Sequence, residues 1–278
     1  MNVIVQRIRD KLLKQNKNVL IIIVGSTGSG KSYSAIKLAE SINPDFNIKD
    51  HLVFGGKDFI KLLNSGTLKK GDCIVWDECG VFLGARNWST EENKKAVEVL
   101  QTFRHLNLCV IFTCPDVRFI DVNVRRLYHW LFETMTIDYK NSVCQLKPLQ
   151  IQVNYRFGKE YYKYPRIRRH DGRIVKINRL MVSLIDEETQ KKYETMKNAF
   201  TKKLNLDFEE YLKTKEKKRI KRDVMEIVDE VKDNIDEYTR QYRGKPIIDW
   251  HLIRSKQNIS ETKAKEVRSV LLSNMESV

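Results

Sequence analysis

Cysteine is scarce in this chain. Cys73, Cys79, Cys109, Cys114 and Cys144 are five among 278 residues, an odd number, and none forms a CxxC pair. That argues against a disulfide framework and a structural zinc site, and for a reducing compartment, the cytoplasm. Long apolar runs are missing as well. The longest is Val19 to Val24, whereas a membrane-spanning helix needs about 20 such residues. The opening segment, MNVIVQRIRDKLLKQNKN, is charged throughout and lacks the apolar core of a signal peptide. The histidines (51, 105, 129, 170 and 251) have no metal-ligand spacing, and no internal repeat is present. With 41% apolar and 31% charged residues, the chain reads as soluble and globular, with room for one large domain or two ordinary ones.

Charge is present in excess. Lys and Arg number 51 against 36 Asp and Glu, a net of +15. Residues 1–130 carry a net of +6, residues 131–222 a net of +11, and residues 223–278 a net of −2. A middle segment this basic points to a polyanionic partner, nucleic acid or an anionic membrane surface.

The order of patterns predicts an α/β doubly wound core over residues 18–135. Residues 2–15 have the spacing of a short basic helix. The run NVLIIIVG, 18–25, is β-branched and fully apolar, as a buried parallel strand is. Helical spacing follows at 31–42, a short strand at 51–54, a helix at 57–65 and an apolar strand at 73–78. Ser89 and Glu92 open a capping box for a helix to Arg104, and 108–113 is another buried strand. Period-2 patterning over 143–176, with turn signals at Gly158 and Asp171-Gly172, predicts an antiparallel hairpin extension. Residues 187–240 read as charged helix. Pro246 to Ile253 reads as the start of a short helix, followed by a turn at Gln257-Asn258-Ile259 and a helix capped by Ser260. The division expected is a doubly wound α/β domain 1–140, a basic extension 141–222 and a helical module 223–278.

Gly25-Ser26-Thr27-Gly28-Ser29-Gly30-Lys31-Ser32 fits GxxxxGK[ST], between an apolar strand and a helix. Glycines let the backbone curl so that consecutive N–H groups face a phosphate, and the helix N-terminus adds a positive dipole end. In such a loop Lys31 reaches the β- and γ-phosphates of a nucleotide and the Ser32 hydroxyl ligates Mg²⁺, with Tyr33 next to them. The strand Ile74-Val75-Trp76-Asp77-Glu78 delivers two acids to its carboxyl end, where α/β sheets bind ligands. Asp77 would hold the water shell of Mg²⁺, and Glu78 would polarise the attacking water. The strand ending at Thr113 and Cys114 should lie between the two motif strands, which sets both residues beside the γ-phosphate. Arg104, just before that strand, is a candidate arginine finger for a neighbouring subunit, or else a solvated helix-end cation. Arg125 and Arg126 are weaker candidates of the same kind. Trp88 either packs locally or faces nucleic acid in a central channel.

GSTGSGKS, IVWDECG and FRHLNLCVIFTCPDVRFIDVNVRRL together resemble the HerA/FtsK superfamily of P-loop motors, and within it the zonula occludens toxin-like branch of phage and archaeal mobile-element ATPases. The resemblance covers residues 18–135. It implies ATP and Mg²⁺ as ligands, with Lys31 and Ser32 on nucleotide and metal, Asp77 on Mg²⁺, Glu78 catalytic and Arg104 the finger. Members carry Thr-Gln at the end of the third strand; here the Gln position is Cys114. Phage-extrusion proteins of this branch carry a membrane span, and this sequence has none, so membrane tethering is not carried over.

Residues 155–173, YRFGKEYYKYPRIRRHDGR, interleave seven cations with five Tyr/Phe residues. Phosphate neutralisation and base stacking use these types at this density. Arg156, Lys163, Arg166, Arg168 and Arg169 are the nucleic-acid candidates there; the alternatives are a hairpin packed on the core and a subunit interface. In the C-terminal module, a helix-turn-helix pattern would present Lys265 and Arg268 to DNA, unless the pair of helices serves protein contacts. The expectation from these readings is a DNA-associated ATPase of a virus or mobile element, a homo-oligomer such as a hexameric ring, acting in translocation, genome packaging or remodelling. Its rivals are a nucleotide-gated initiator or partition factor, and a virion-assembly motor acting on protein.

Overall fold

The computed structural model describes residues 2–81, 98–242 and 244–276, without the side chains of residues 81, 104, 215–223 and 276. The capping box at Ser89 and Glu92 and the Trp88 reading lie outside the described residues. The chain forms two compact units, residues 1–198 and 199–278.

The first unit is built on one eight-stranded sheet. Its strands are β1 (Val19–Val24), β2 (Leu52–Val53), β3 (Cys73–Trp76), β4 (Cys109–Cys114), β5 (Trp130–Asp138), β6 (Val143–Asn154), β7 (Lys159–Lys163) and β10 (Leu180–Ser183). The order is β10-β6-β5-β1-β4-β3-β2, with β7 also paired to β6. Around β1 the pairing is parallel, to β4 on one side and β5 on the other. Every residue of β1, β3 and β4 is buried, which is why these strands are continuous apolar runs rather than alternating ones. As predicted, β4 separates β1 from β3. Helices α1 (Val3–Leu13), α2 (Lys31–Ile42), α3 (Ile48–His51), α4 (Gly56–Asn64) and α5 (Val122–Arg125) accompany the sheet. Trp76 stacks on Phe59 at 4.7 Å between ring centroids, and Tyr128 meets Phe112 edge-on at 5.1 Å. The core beneath the acidic strand end is thus aromatic.

The basic extension does not form a separate domain. β5 and β6 make a long antiparallel pair with an irregularity between Thr134 and Thr136, and β6 pairs with both β7 and β10. Backbone hydrogen bonds therefore merge residues 143–183 with the parallel sheet, and no boundary falls at 140. The turn signals hold locally: β7 follows Gly158, and a small hairpin of β8 (Arg166–Arg168) and β9 (Ile174–Lys176) brackets Asp171-Gly172.

Helix α6 (Glu187–Asp233) begins in the first unit. In the second unit it is followed by β11 (Thr239–Tyr242), β12 (Lys245–Ile248), α7 (Trp250–Gln257) and α8 (Glu261–Glu276). Two expectations are corrected here. The helix stops at Asp233 instead of reaching 240, and Pro246 sits in a strand, not in a helix. Gln241 pairs with Pro246 and Tyr242 with Lys245 across Gly244, whose φ is +76°. A two-stranded ribbon leaves proline's missing N–H on an outer edge, where it costs nothing. The helix then starts at Trp250, capped by Asp249 Oδ1, which accepts from the His251 N–H at 2.8 Å. The two helices and the turn between them are as expected, with Asn258 left-handed at φ +50° and Ala264, Val267 and Leu271 buried.

A candidate nucleotide site at the strand ends

Because β1, β3 and β4 run parallel, their carboxyl ends deliver Gly25, Asp77 and Thr113 to one edge of the sheet. Gly25 opens the loop under a tight ceiling: a Cβ there would lie 1.8 Å from Thr134 Oγ1 on β5. Thr134 Oγ1 donates to Ser29 Oγ at 2.8 Å, so the strand beside β1 steadies the loop. Gly30, at φ +84°, turns the chain into α2 in a left-handed conformation that glycine adopts without strain. Lys31 is buried, and its ammonium donates to the Ser26 carbonyl across the loop at 2.8 Å. Burial pushes the Lys31 pKa down, opposed by the negative charges of Glu78 and Asp77.

Asp77 is fully buried at the centre of the site. Its Oδ1 accepts from Ser32 Oγ at 2.7 Å and from Thr113 Oγ1 at 2.5 Å. Its Oδ2 accepts from the Tyr193 hydroxyl at 2.7 Å and the Lys197 ammonium at 2.9 Å. Burial opposes ionisation of Asp77, but the Lys197 charge and the hydrogen bonds from Thr113, Lys197 and Tyr193 outweigh it and hold the pKa below the usual value. Glu78 has φ +56°, a left-handed backbone uncommon for a side chain of this kind. Its N–H donates to Thr113 Oγ1 at 3.0 Å, and its Oε1 accepts from Lys197 Nζ at 2.8 Å. Strain held by surrounding bonds is frequent at functional sites. Lys197 is protonated well beyond its usual range: burial opposes this, and Asp77 and Glu78 overcome it.

Three sequence-predicted groups, the loop, the acid pair and Thr113, thus meet in one place. Cys114 does not join them. It is buried in the hydrophobic core, its thiol 3.2 Å from the Asp116 carbonyl. Alternation along β4 therefore makes Thr113 the polar group facing the acids. The Arg104 side chain lies outside the described ones. Arg125 and Arg126 instead hold the β6–β7 turn: Arg125 is 3.9 Å from Glu160, and Arg126 donates to the Gly158 carbonyl at 3.1 Å. Sequence reasoning missed Tyr193 and Lys197. They sit four apart on α6, far down the chain, and no local motif marks them.

The loop, Lys31 and Ser32 line one wall of a cleft of about 620 Å³. Tyr33, Ile137, Tyr139, Ile185 and Tyr193 are among its other lining residues, an aromatic and aliphatic side suited to a base. The Tyr33 hydroxyl donates to Glu194 at 2.9 Å, and its ring meets Tyr193 edge-on at 5.5 Å. The Ser32 hydroxyl and the Asp77 carboxylate, bonded to each other beside the loop, are the hard oxygen donors that Mg²⁺ takes. The residues present fit a nucleotide with its metal.

A second feature lies across α1 and the hairpin strands. A groove of about 560 Å³ is lined by four cations, Arg7, Lys163, Arg166 and Lys176, together with Tyr162 and Tyr164. Arg7 donates to the Arg166 carbonyl at 2.5 Å, and the Lys176 ammonium stands 4.4 Å over the Tyr164 ring. Arg168 and Arg169 line an adjoining cleft that also contains Arg7. Arg156 is elsewhere, on the β6–β7 turn over Phe157, at 5.3 Å. Arg7 and Lys176 fall outside the 155–173 stretch and are contributed by the fold. In the second unit Lys265 is engaged, donating to Glu261 at 2.6 Å and standing 4.7 Å over Trp250, while Arg268 is half-buried.

Comparison with known proteins finds a match over part of the chain. Residues 47–134 match the family model for zonular occludens toxin (Zot). No curated protein matches the chain. Among solved structures, the N-terminal domain of zonular occludens toxin from Neisseria meningitidis aligns at 17% identity, covering 52% of this chain and 93% of that one, with a TM-score of 0.36. The genome packaging NTPase B204 of Sulfolobus turreted icosahedral virus 2, in complex with ATP-gammaS, aligns at 12% identity over 53% of this chain and 97% of that one, TM-score 0.31. A KaiC-like protein from Pyrococcus horikoshii aligns at 14% identity over 60% and 94%, TM-score 0.29. The matched segment runs from the approach to β2, through the acid pair and β4, to Thr134 on β5, and the loop at residues 25–32 precedes it.

Proposed function

We propose that this chain is an ATP-hydrolysing protein of a virus or mobile element that acts on DNA. One observation carries the reading: Ser32, Asp77, Thr113 and Glu78 are linked in one hydrogen-bonded set beside Lys31 and the glycine loop. In this reading Lys31 takes the β- and γ-phosphates. Ser32 and Asp77 hold Mg²⁺, which supplies neutralising charge at the phosphates. Glu78 orients and deprotonates the attacking water. The Arg7–Lys163–Arg166–Lys176 groove supports DNA as the partner, because cations neutralise phosphates and tyrosine rings stack on bases. Action across subunits of a ring, with Arg104 as the finger and the cytoplasm as the compartment, belongs to the same proposal.

A second reading, a nucleotide-gated DNA-binding switch, is favoured by one contact. Glu78 is paired with Lys197, and a base held by an ammonium gives slow turnover. Steady-state ATP hydrolysis measured with and without duplex and single-stranded DNA tests both. Turnover stimulated by DNA supports the motor. Tight DNA binding with barely measurable turnover supports the switch, and no hydrolysis together with no DNA binding defeats both.

A further inference from the structure

The two acids on which hydrolysis turns are already engaged by the chain itself. A carboxylate offers about four lone-pair sites, and Asp77 fills them with Ser32, Thr113, Tyr193 and Lys197. No acceptor is left on Asp77 for the water shell of a metal. The Lys197 ammonium also bridges to Glu78, at 2.9 Å from one carboxylate and 2.8 Å from the other. Further contacts come from the same helical stretch. Glu194 accepts from Tyr33 on α2 and from Gln190, and the Tyr193 ring lies against Tyr33. Residues 190, 193, 194 and 197 have the spacing of a single helix face, and that face closes one side of the cleft.

We infer that the first turns of α6 are an internal latch on the nucleotide site, with Lys197 as a built-in counterion that Mg²⁺–nucleotide must displace. The inference rests on the nucleotide reading above. The metal and the ammonium compete for the acid pair: the metal's charge repels the ammonium, and the Asp77 oxygens are already filled by hydrogen bonds. Lys197 therefore neutralises two adjacent carboxylates when the site is free, preventing their mutual repulsion. It leaves when a stronger cation arrives with its own phosphates. Tyr193 follows, because its hydroxyl donates to the oxygen that the metal's water shell needs. By linkage, whatever holds the latch closed lowers metal–nucleotide affinity by the same factor that the ligand opens the latch.

The test uses the full chain and a fluorescent, non-hydrolysable ATP analogue, titrated with Mg²⁺ and again with EDTA. In Lys197→Ala, the ratio of the EDTA to the Mg²⁺ dissociation constant should rise by about tenfold, within the ordinary range of coupling between sites. Tyr193→Phe should move it the same way by less. Hydrogen exchange of residues 190–197 in the unmodified protein supplies a measurement that needs no variant. Exchange should quicken on adding Mg²⁺ and the analogue. Greater protection of this segment on binding, or a Lys197→Ala protein whose Mg²⁺ advantage shrinks, would overturn the latch and make Lys197 a phosphate ligand. Absence of analogue binding in both proteins would instead bring down the nucleotide reading and the latch with it.

Discussion

At the scale of single residues, the site is a set of buried and half-buried polar groups that depend on one another. Thr113 is 1% exposed and serves both acids, donating to Asp77 and accepting from the Glu78 N–H. Thr113→Val keeps the volume and removes the hydroxyl. It leaves a buried carboxylate short of one partner and a backbone N–H unpaired, so stability should fall by about 1–3 kcal/mol, read from a denaturant melt. In the proposed function Lys31 serves binding and Glu78 serves chemistry. Lys31→Ala removes the only cation contributed by the phosphate loop, and nucleotide affinity should drop below detection in calorimetry. Glu78→Gln preserves shape and loses the base, so nucleotide should bind while turnover falls by about 10²-fold or more. Hydrolysis at the unmodified rate in Glu78→Gln would remove Glu78 from its assigned role.

At the scale of elements, two devices bring distant segments to function. The parallel strands align their carboxyl ends, which gathers the loop, the acids and Thr113. The antiparallel strands β5, β6 and β7 widen the sheet, and β7, β8 and β9 contribute the basic side chains that line a groove with Arg7 of α1. Arg7 closes the resulting groove from a helix more than 150 residues away in sequence from Arg166, to whose carbonyl it donates. If the groove tracks a phosphodiester backbone, replacing Arg7, Lys163 and Lys176 with Gln removes up to three phosphate contacts. The slope of log affinity against log salt on duplex DNA should then shrink by about 2–3. ATP hydrolysis without DNA should be unchanged, since none of the three lines the nucleotide cleft. An unaltered slope would leave the groove without a role in DNA binding.

At the scale of the whole molecule, one chain supplies the phosphate loop, both acids and a basic groove, and the proposed finger would come from another copy. In that case Arg104→Ala and Glu78→Gln proteins, each inactive alone, should recover activity when mixed. Some interfaces then combine an intact acid pair from one copy with an intact arginine from the other. Turnover across mixing ratios reads this directly, and a fully active Arg104→Ala protein would end the finger hypothesis. The second unit has its own apolar core, which includes Val228, Val231, Ile253 and Val267, so its helix pair does not depend on the sheet for burial.

The phosphate loop and the acid pair were legible in the sequence because each is a few consecutive residues whose geometry is set locally, by glycine turns and by the end of an apolar strand. The hairpin turns at Gly158 and Gly172 were legible for the same reason. The sequence by itself also determined that β1, β3 and β4 lie in a buried sheet, since only such strands are apolar on both faces. Tertiary structure decided the rest. Residues that pair 116 to 120 positions apart, as Tyr193 and Lys197 do with Asp77, carry no periodic signal on a helix whose outward face is equally charged. Thr113 rather than Cys114 faces the acids because the pairing of β3 with β4 fixes which side each β4 residue takes. Pro246 is locally as acceptable at a helix start as in a ribbon edge, and its pairing with Gln241 settled the choice. Local geometry follows from neighbours in sequence. Charge compensation, strand register and groove closure follow from neighbours in space, and only folding brings those together.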